Sequence, residues 1–450
     1  MQINRRKFIA TSLGACAGYT LFAGSNTSTV AEPRIACIGV GGRGKSDLKS
    51  IHGAKIVALC DIDSKPLAVA SKMHADAKTY RDYRVMLTEM RDEIDAVVIS
   101  TPDHTHFHAT MMAMSMGKHV HVQKPLAHSI SEVRQMMALA EETGVITQMG
   151  NQGHASEGIR LIREWYEADL IGEIQEVVAW TNRPNSGVGF RGERMEYPPA
   201  DPVPANVDWN LWVGPVVDAP PYATGAYHPL YWRGWWKFGM GALGDIGCHT
   251  IDSPFWALDL EIPTRVDIEV DHVNEIYTPA GSVVKYTAYS KAAKKDVPLT
   301  WYEGPKMPPK PEMLGDTELS SAGGLMMIGS KGIIFHSGMR PNSPRLYPES
   351  LWQDFRKTPS IRPAKVYPRI KGSQMDEWIR AIKGEGPKPG SSFDYAGPLT
   401  ETIALGTLAI RTGKTIEYDA KTMTITNNDE ANALLQTEAR AGFRVEDLSV

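Results

Sequence analysis

Cysteine is scarce in this chain: four residues in 450, namely Cys16, Cys37, Cys60 and Cys248. Cys16 falls in an N-terminal leader, which leaves an odd number at unpatterned positions and excludes a disulfide scaffold. Cys37 and Cys60 lie in or at the end of apolar strand patterns, where a buried free thiol is the expected state. Excess charge of either sign is also missing. A net charge of -4 provides no field for general nucleic-acid or anionic-membrane binding. Beyond the leader no uncharged apolar run reaches ~18 residues, so no transmembrane helix is expected in the mature chain. Internal repeats and low-complexity tracts are absent. With 42% apolar residues there is ample material for real cores, and the length suits two domains rather than one.

What is present begins with Asn4-Arg5-Arg6-Lys7-Phe8-Ile9, followed by small and apolar residues through Gly24. This reads as a twin-arginine export signal over residues 1–31, which predicts a periplasmic protein that folds around its cofactor before export. Leu13-Gly14-Ala15-Cys16 also resembles a lipoprotein cleavage box, an alternative in which Cys16 carries a lipid anchor.

Strand patterns at Arg34–Ile38, Lys55–Cys60, 96–100, 119–123 and 146–149 alternate with helical patterns at 44–51, 65–74, 83–91, 106–116 and 131–143. That rhythm predicts a doubly wound parallel sheet, a Rossmann domain over 32–150, with its ligand crevice at the carboxyl ends of the strands. The rhythm then changes. A helix at 158–165 and a strand at 173–180 precede a stretch rich in Pro, Gly and Arg, 183–229. Strands follow at 264–270, Ser282–Ser290 and 332–336, helices at 374–383 and 396–412, and a last strand at 415–418. Residues 151–450 are expected to form an α/β domain with a mostly antiparallel sheet.

Gly39-Val40-Gly41-Gly42-Arg43-Gly44 follows a strand and opens a helix, the setting of a pyrophosphate cradle. Asp61 ends the next strand, where an acid can bind both ribose hydroxyls and repel a 2′-phosphate, favouring NAD over NADP. Arg43 could meet a 2′-phosphate instead. Thr101-Pro102 leads out of the next strand toward the nicotinamide half of the crevice, and Gln123-Lys124-Pro125 ends the one after. A lysine there can steady a developing alkoxide. Six of the thirteen histidines fall between His104 and His128, which suits either packing and substrate contacts or a metal; no metal is expected. In the run from Gly241 to Asp252, a helix would set Asp245 and His249 on one face, an acid beside a general base, or else an N-cap and a core histidine. Upstream, Arg233, Trp235 and Trp236 belong to an aromatic cluster that could stack on sugar rings or form a core or subunit interface.

Taken together, the glycine turn, Thr101-Pro102 with His106, Gly117-Lys118-His119-Val120, Lys124-Pro125 and Gly244-Asp245 leading to His249 resemble the Gfo/Idh/MocA family. This is the family of glucose–fructose oxidoreductase and inositol dehydrogenase. The resemblance covers essentially the whole mature chain, including Gly413-Lys414 and Asn427 to Ala431. It implies a Rossmann domain, a second domain whose open sheet mediates homo-oligomers, and hydride transfer at a sugar or cyclitol carbinol. By position, Lys124 matches the lysine of the family's Glu-Lys-Pro motif, and Asp245 and His249 match its Asp-x-x-x-His pair. Gln123 stands where the family has glutamate. Residues 148–154 depart from an arginine-bearing version, which makes His154 a candidate substrate contact.

Three functions follow: an NAD-dependent dehydrogenase of sugars or glycosides, a redox-neutral NAD-dependent glycosidase, or a non-catalytic sugar- or nucleotide-binding protein. An exported protein meets no nicotinamide pool, so the first two require a resident cofactor.

Overall fold

The computed structural model describes residues 30–185 and 189–448, so the twin-arginine segment and Cys16 lie outside the described residues. Six strands, β1 (Arg34–Ile38), β2 (Lys55–Cys60), β3 (Lys78–Tyr80), β4 (Ala96–Ile99), β5 (His119–Val122) and β6 (Thr147–Met149), form a wholly parallel sheet ordered β3-β2-β1-β4-β5-β6. Every residue of β4 and β5 is buried, as strands covered on both faces require; β4 is a continuous apolar run, whereas β5 alternates His119 and His121 with valine. The chain leaves β1 toward β2 and β3 on one side and returns to β4 on the other. The ligand crevice therefore opens between β1 and β4. The short edge strand β3 carries no apolar run and was not expected from the sequence.

One face of this sheet is covered by the helices Gly42–Lys49 and Ser64–Met73, together with Gln374–Ile382. Met375, Trp378 and Ile379 pack there against Ile35, Cys37 and Leu59. The nucleotide domain thus takes a helix from far beyond residue 150, because the amphipathic Gln374–Ile382 helix fills a gap that the local crossovers leave. The other face carries Asp103–Ser115 and Ile130–Thr143, the latter opened by a Ser129–Glu132 capping box.

The second sheet contains β7 (Ile174–Thr181), β8 (Arg265–Val270), β9 (Ser282–Ser290), β10 (Lys295–Glu303), β11 (Gly323–Gly329), β12 (Ile333–Ser337), β13 (Arg345–Tyr347), β14 (Ile416–Asp419) and β15 (Thr424–Ile425). Their order is β13-β12-β11-β7-β10-β9-β8-β14-β15, antiparallel except for the β7–β10 pair. Pro298 in β10 and Gly323-Gly324 at the start of β11 are residues that punctuate strand patterns, which hid both strands in the sequence. Cys37, Cys60 and Cys248 are free, buried thiols.

Two features of the second domain shape the site. The helix Gly241–Thr250 is buried at every residue, and Gly247 lets Ile403 of the helix Phe393–Thr412 approach, since a Cβ there would lie 2.6 Å from Ile403 Cδ1. The breaker-rich stretch 183–229 contains only the short helix Trp209–Val213 among its described residues. It lies across the first domain as a strap, where Ser64 N donates to Asn206 O at 2.9 Å and Asp208 N to Ile62 O at 3.0 Å.

Candidate active site

A cavity of about 630 Å³ opens at the carboxyl ends of β1, β2, β4 and β5. At its floor, Gly39 has φ +78 and its amide donates to Cys60 O at 2.8 Å, so the turn folds back tightly after β1. A Cβ on Gly44 would lie 1.9 Å from Gly39 O, so the first turn of the helix can meet the glycine turn this closely only with glycine at this position. Gly42, at φ +44, has nothing within 4 Å of its Cβ position and leaves open space at the N-terminus of the helix Gly42–Lys49. A helix N-terminus facing open space suits a pyrophosphate.

Asp61 lines the cavity, and its carboxylate braces the turn: Oδ2 accepts from Val40 N at 2.9 Å and Gly41 N at 3.2 Å, and Oδ1 from Asp63 N at 2.9 Å. Burial pushes its pKa up, and these amides oppose the rise. Asp63, Arg81 and His228 line the same end, His228 Nε2 lying 3.7 Å from Asp63 Oδ2. Arg81 donates to Ile62 O and to Asn206 O, tying the strap to β2.

Arg43 pairs with Asp47 at 2.6 Å rather than standing free for a 2′-phosphate. Asp47 Oδ2 also accepts from Ser100 Oγ at 2.7 Å and Gln123 Nε2 at 2.8 Å. This accounts for the amide at 123: a glutamate would set a second carboxylate against a buried Asp47. Thr101 and Pro102 line the cavity. His106 does not; it bridges Pro125 O at 2.8 Å and Thr101 O at 2.9 Å, and burial pushes its pKa down to about 4. With a single N–H in its neutral form, it donates to only one of these two carbonyls and packs against the other, between two cavity-forming turns.

Lys124 Nζ donates to Asp245 O at 2.7 Å and Asp245 Oδ1 at 2.8 Å, leaving its third proton for the cavity. Arg183 and Arg233 also pair with Asp245, Arg233 Nε at 3.1 Å. Burial would raise the Asp245 carboxyl, but Lys124, Arg233 and Arg183 together hold it far below the usual range. His249 shares the helix with Asp245 but takes no hydrogen bond from it; its Nδ1 is buried without a partner. The expectation that Asp245 orients His249 is therefore corrected, because three cations occupy the carboxylate. Burial, reinforced by Lys124 and Arg340, pushes the His249 pKa well below its ordinary value, so a neutral imidazole faces the cavity.

Three further expectations are corrected. Trp235 donates to Ala226 O at 2.9 Å inside an aromatic core with Tyr227, Phe238 and Tyr277. Trp236 donates to Asn274 O at 2.8 Å and packs against the main core. His154 bonds Asp252 Oδ1 at 2.9 Å beneath Tyr395. None of the three lines the cavity, whereas Trp212, Trp232 and Arg233 do. Cavity residues passed over in the sequence include Asp103 and Arg340. Asp103 lay within the turn already noted; burial pushes its carboxyl up to about 7, against the pull of Lys124 and Arg233. Arg340 donates to Gln152 Oε1 at 2.8 Å and has no acidic partner among the described residues, and its isolated position after β12 gave no local signal. Among the described residues no group of three His, Cys, Asp or Glu side chains is arranged to hold a metal. No described helix is long and apolar enough to cross a membrane.

A nucleotide cradle, a lysine and a neutral imidazole in one crevice define the class: a dinucleotide-dependent oxidoreductase. Comparison with known proteins gives the family. Residues 33–151 match the NAD-binding Rossmann fold of the Gfo/Idh/MocA oxidoreductase family, and residues 188–293 match its C-terminal alpha/beta domain. Together the two matches span half of the chain, which belongs to this family.

Among curated relatives, D-apiose dehydrogenase of Paraburkholderia graminis is 35% identical over 124 residues, 27% of this chain and 32% of that protein. A glycosyl hydrolase family 109 protein of Shewanella sp. (strain ANA-3) is 34% identical over 158 residues, 30% of this chain and 34% of its own. The chain thus matches about a third of the length of these relatives. Among solved structures, the WlbA dehydrogenase of Bordetella pertussis, in complex with NADH and UDP-GlcNAcA, superposes with a TM-score of 0.58 at 18% identity, covering 86% of this chain and 99% of that one. Aldose-aldose oxidoreductase of Caulobacter crescentus gives 0.52 at 15%, covering 86% and 99%. At these identities the likeness is one of fold.

Proposed function

We propose that the protein oxidises a hydroxyl-bearing carbon of a sugar or glycoside, using an NAD that stays bound through turnover. The observation that carries this reading is the convergence of Lys124 and neutral His249 on the cavity that holds the Gly39–Gly44 cradle. The cradle residues would hold the cofactor's pyrophosphate, with Asp61 and Asp63 toward its adenosine ribose and Thr101-Pro102 toward its nicotinamide. NAD supplies the acceptor for the hydride that leaves the substrate carbon. His249, held in its neutral form, takes the hydroxyl proton. Lys124 donates its remaining proton to the same oxygen and stabilises the charge that develops there. Asp245, held by Arg183 and Arg233, fixes the ammonium in place. The twin-arginine segment adds an exported location and with it the need for a retained cofactor.

A second reading, redox-neutral glycoside cleavage in which the sugar is oxidised and reduced back within one turnover, draws support from the family 109 relatives. A panel of free sugars and aryl glycosides offered to NAD-loaded protein separates the two. A dehydrogenase raises the reduced-nicotinamide absorbance band. A redox-neutral glycosidase releases the aryl alcohol with no net change in that band. Tightly bound NAD with neither activity on either panel would overturn both.

A further inference from the structure

A second cavity, of about 250 Å³, shares no lining residue with the first. It is walled by the Asp103–Ser115 helix, the turn 128–132, the loop 215–217, the turn 236–240, the end of the Phe393–Thr412 helix and the segment 434–438. Its most telling residue is Arg411. The side chain is only partly buried, burial lowers its pKa, and it makes no hydrogen bond or ion pair among the described residues. Its neighbours are the Trp236 ring, 5.6 Å away, and the Tyr197 phenol. A partly buried guanidinium beside a cavity and without a counter-charge is disposed to take an anion.

The rest of the wall points the same way. Lys237 Nζ donates to Val217 O at 3.1 Å and has no carboxylate partner. His108 makes no hydrogen bond among the described residues, and its Nδ1 is buried unsatisfied; burial keeps the ring neutral, so it still has a proton to donate. Two acids line the cavity. Glu132 Oε2 is turned to its own helix start, accepting from His128 N and Ser129 N at 3.0 Å each, and burial pushes its pKa up to about 7. Glu438 lies on the exposed rim. His104 and His128 are spent on the carbonyls of Trp212, Phe238 and Gly239.

We propose that this cavity binds a small oxyanion, a carboxylate or a phosphoryl group, gripped by the fork of Arg411 and flanked by Lys237 and His108. The planar guanidinium suits two oxygens of one anion, and the lysine adds a point charge. The volume is below the ~300–1,000 Å³ of drug-sized pockets, which limits the ligand to a small acid or phosphate ester.

The test is calorimetric titration of NAD-loaded protein with inorganic phosphate and, separately, acetate, at constant ionic strength balanced with chloride. Saturable binding of at least one anion is expected, weakened at least tenfold in Arg411→Gln and in Lys237→Gln and unchanged in Arg340→Gln. Phosphate alone identifies a phosphoryl site and acetate alone a carboxylate site. Absence of saturable binding for both anions overturns the proposal, as does an affinity that falls in Arg340→Gln but not in the other two, which would place the anion in the nucleotide cavity. If Arg411→Gln does not fold, Lys237→Gln, altered on a partly exposed turn, decides the question by the same criterion.

Discussion

At position 123 the amide is matched to Asp47, so Gln123→Glu should set two buried carboxylates in contact. The folded protein then favours the protonated form of the introduced glutamate, raising its pKa above the unfolded value of ~4.3. The variant should match the parent in stability near pH 4 and lose ground as pH rises through the raised folded value. The deficit should reach about 2 kcal/mol at pH 8, the scale of a buried like-charge contact. Urea unfolding of both proteins at the two pH values checks this. Asp245 has the opposite sign. Its depressed carboxyl contributes stability that is complete above ~3.9, the unfolded value, and lost as pH falls toward the folded one. Asp245→Asn leaves Lys124, Arg183 and Arg233 buried without a counter-charge and should cost about 3 kcal/mol at pH 7 in the same assay. An unchanged midpoint would contradict the cluster's electrostatic role.

Among the elements, the glycine turn and the strap have different work to do. The turn sets how closely the first helix meets β1, so Gly44→Ala should force the two apart and abolish NAD binding, with thermal stability falling as well. The strap closes the adenosine end through Arg81, whose bonds to Ile62 O and Asn206 O span strap and sheet. Arg81→Met should leave the fold intact and weaken NAD about tenfold, near 1.4 kcal/mol, as measured by fluorescence titration. The turn was legible in the sequence because its chemistry is local: six consecutive residues carry it. The strap was legible only as a run of breakers, since its meaning lies in backbone bonds to residues about 140 positions earlier. Likewise β10 and β11 were hidden by Pro298 and Gly323-Gly324, whose neighbours in the sheet, not their own propensities, make them strands.

For the molecule as a whole, the parallel sheet and its crevice could be read directly from strand–helix alternation. The return of Gln374–Ile382 to the first sheet could not, because an amphipathic helix does not name the face it will cover. The same asymmetry holds within the site. Lys124 and His249 stand at strand and helix positions where local pattern places them on the crevice. Arg183 and Arg340 arrive from distant loops, and Trp235, Trp236 and His154 turn inward because each finds a buried polar partner. The molecule's central property is thus the meeting of one cradle with one lysine and one neutral imidazole across two domains. The most direct measurement is single-turnover kinetics of NAD-loaded wild type, Lys124→Ala and His249→Ala on the best substrate from the sugar and glycoside panel, with bound NAD quantified in each preparation. Both variants should retain NAD and slow at least ~100-fold, the scale of one acid–base or electrostatic contribution. Variants that keep NAD and turn over at the wild-type rate would contradict it.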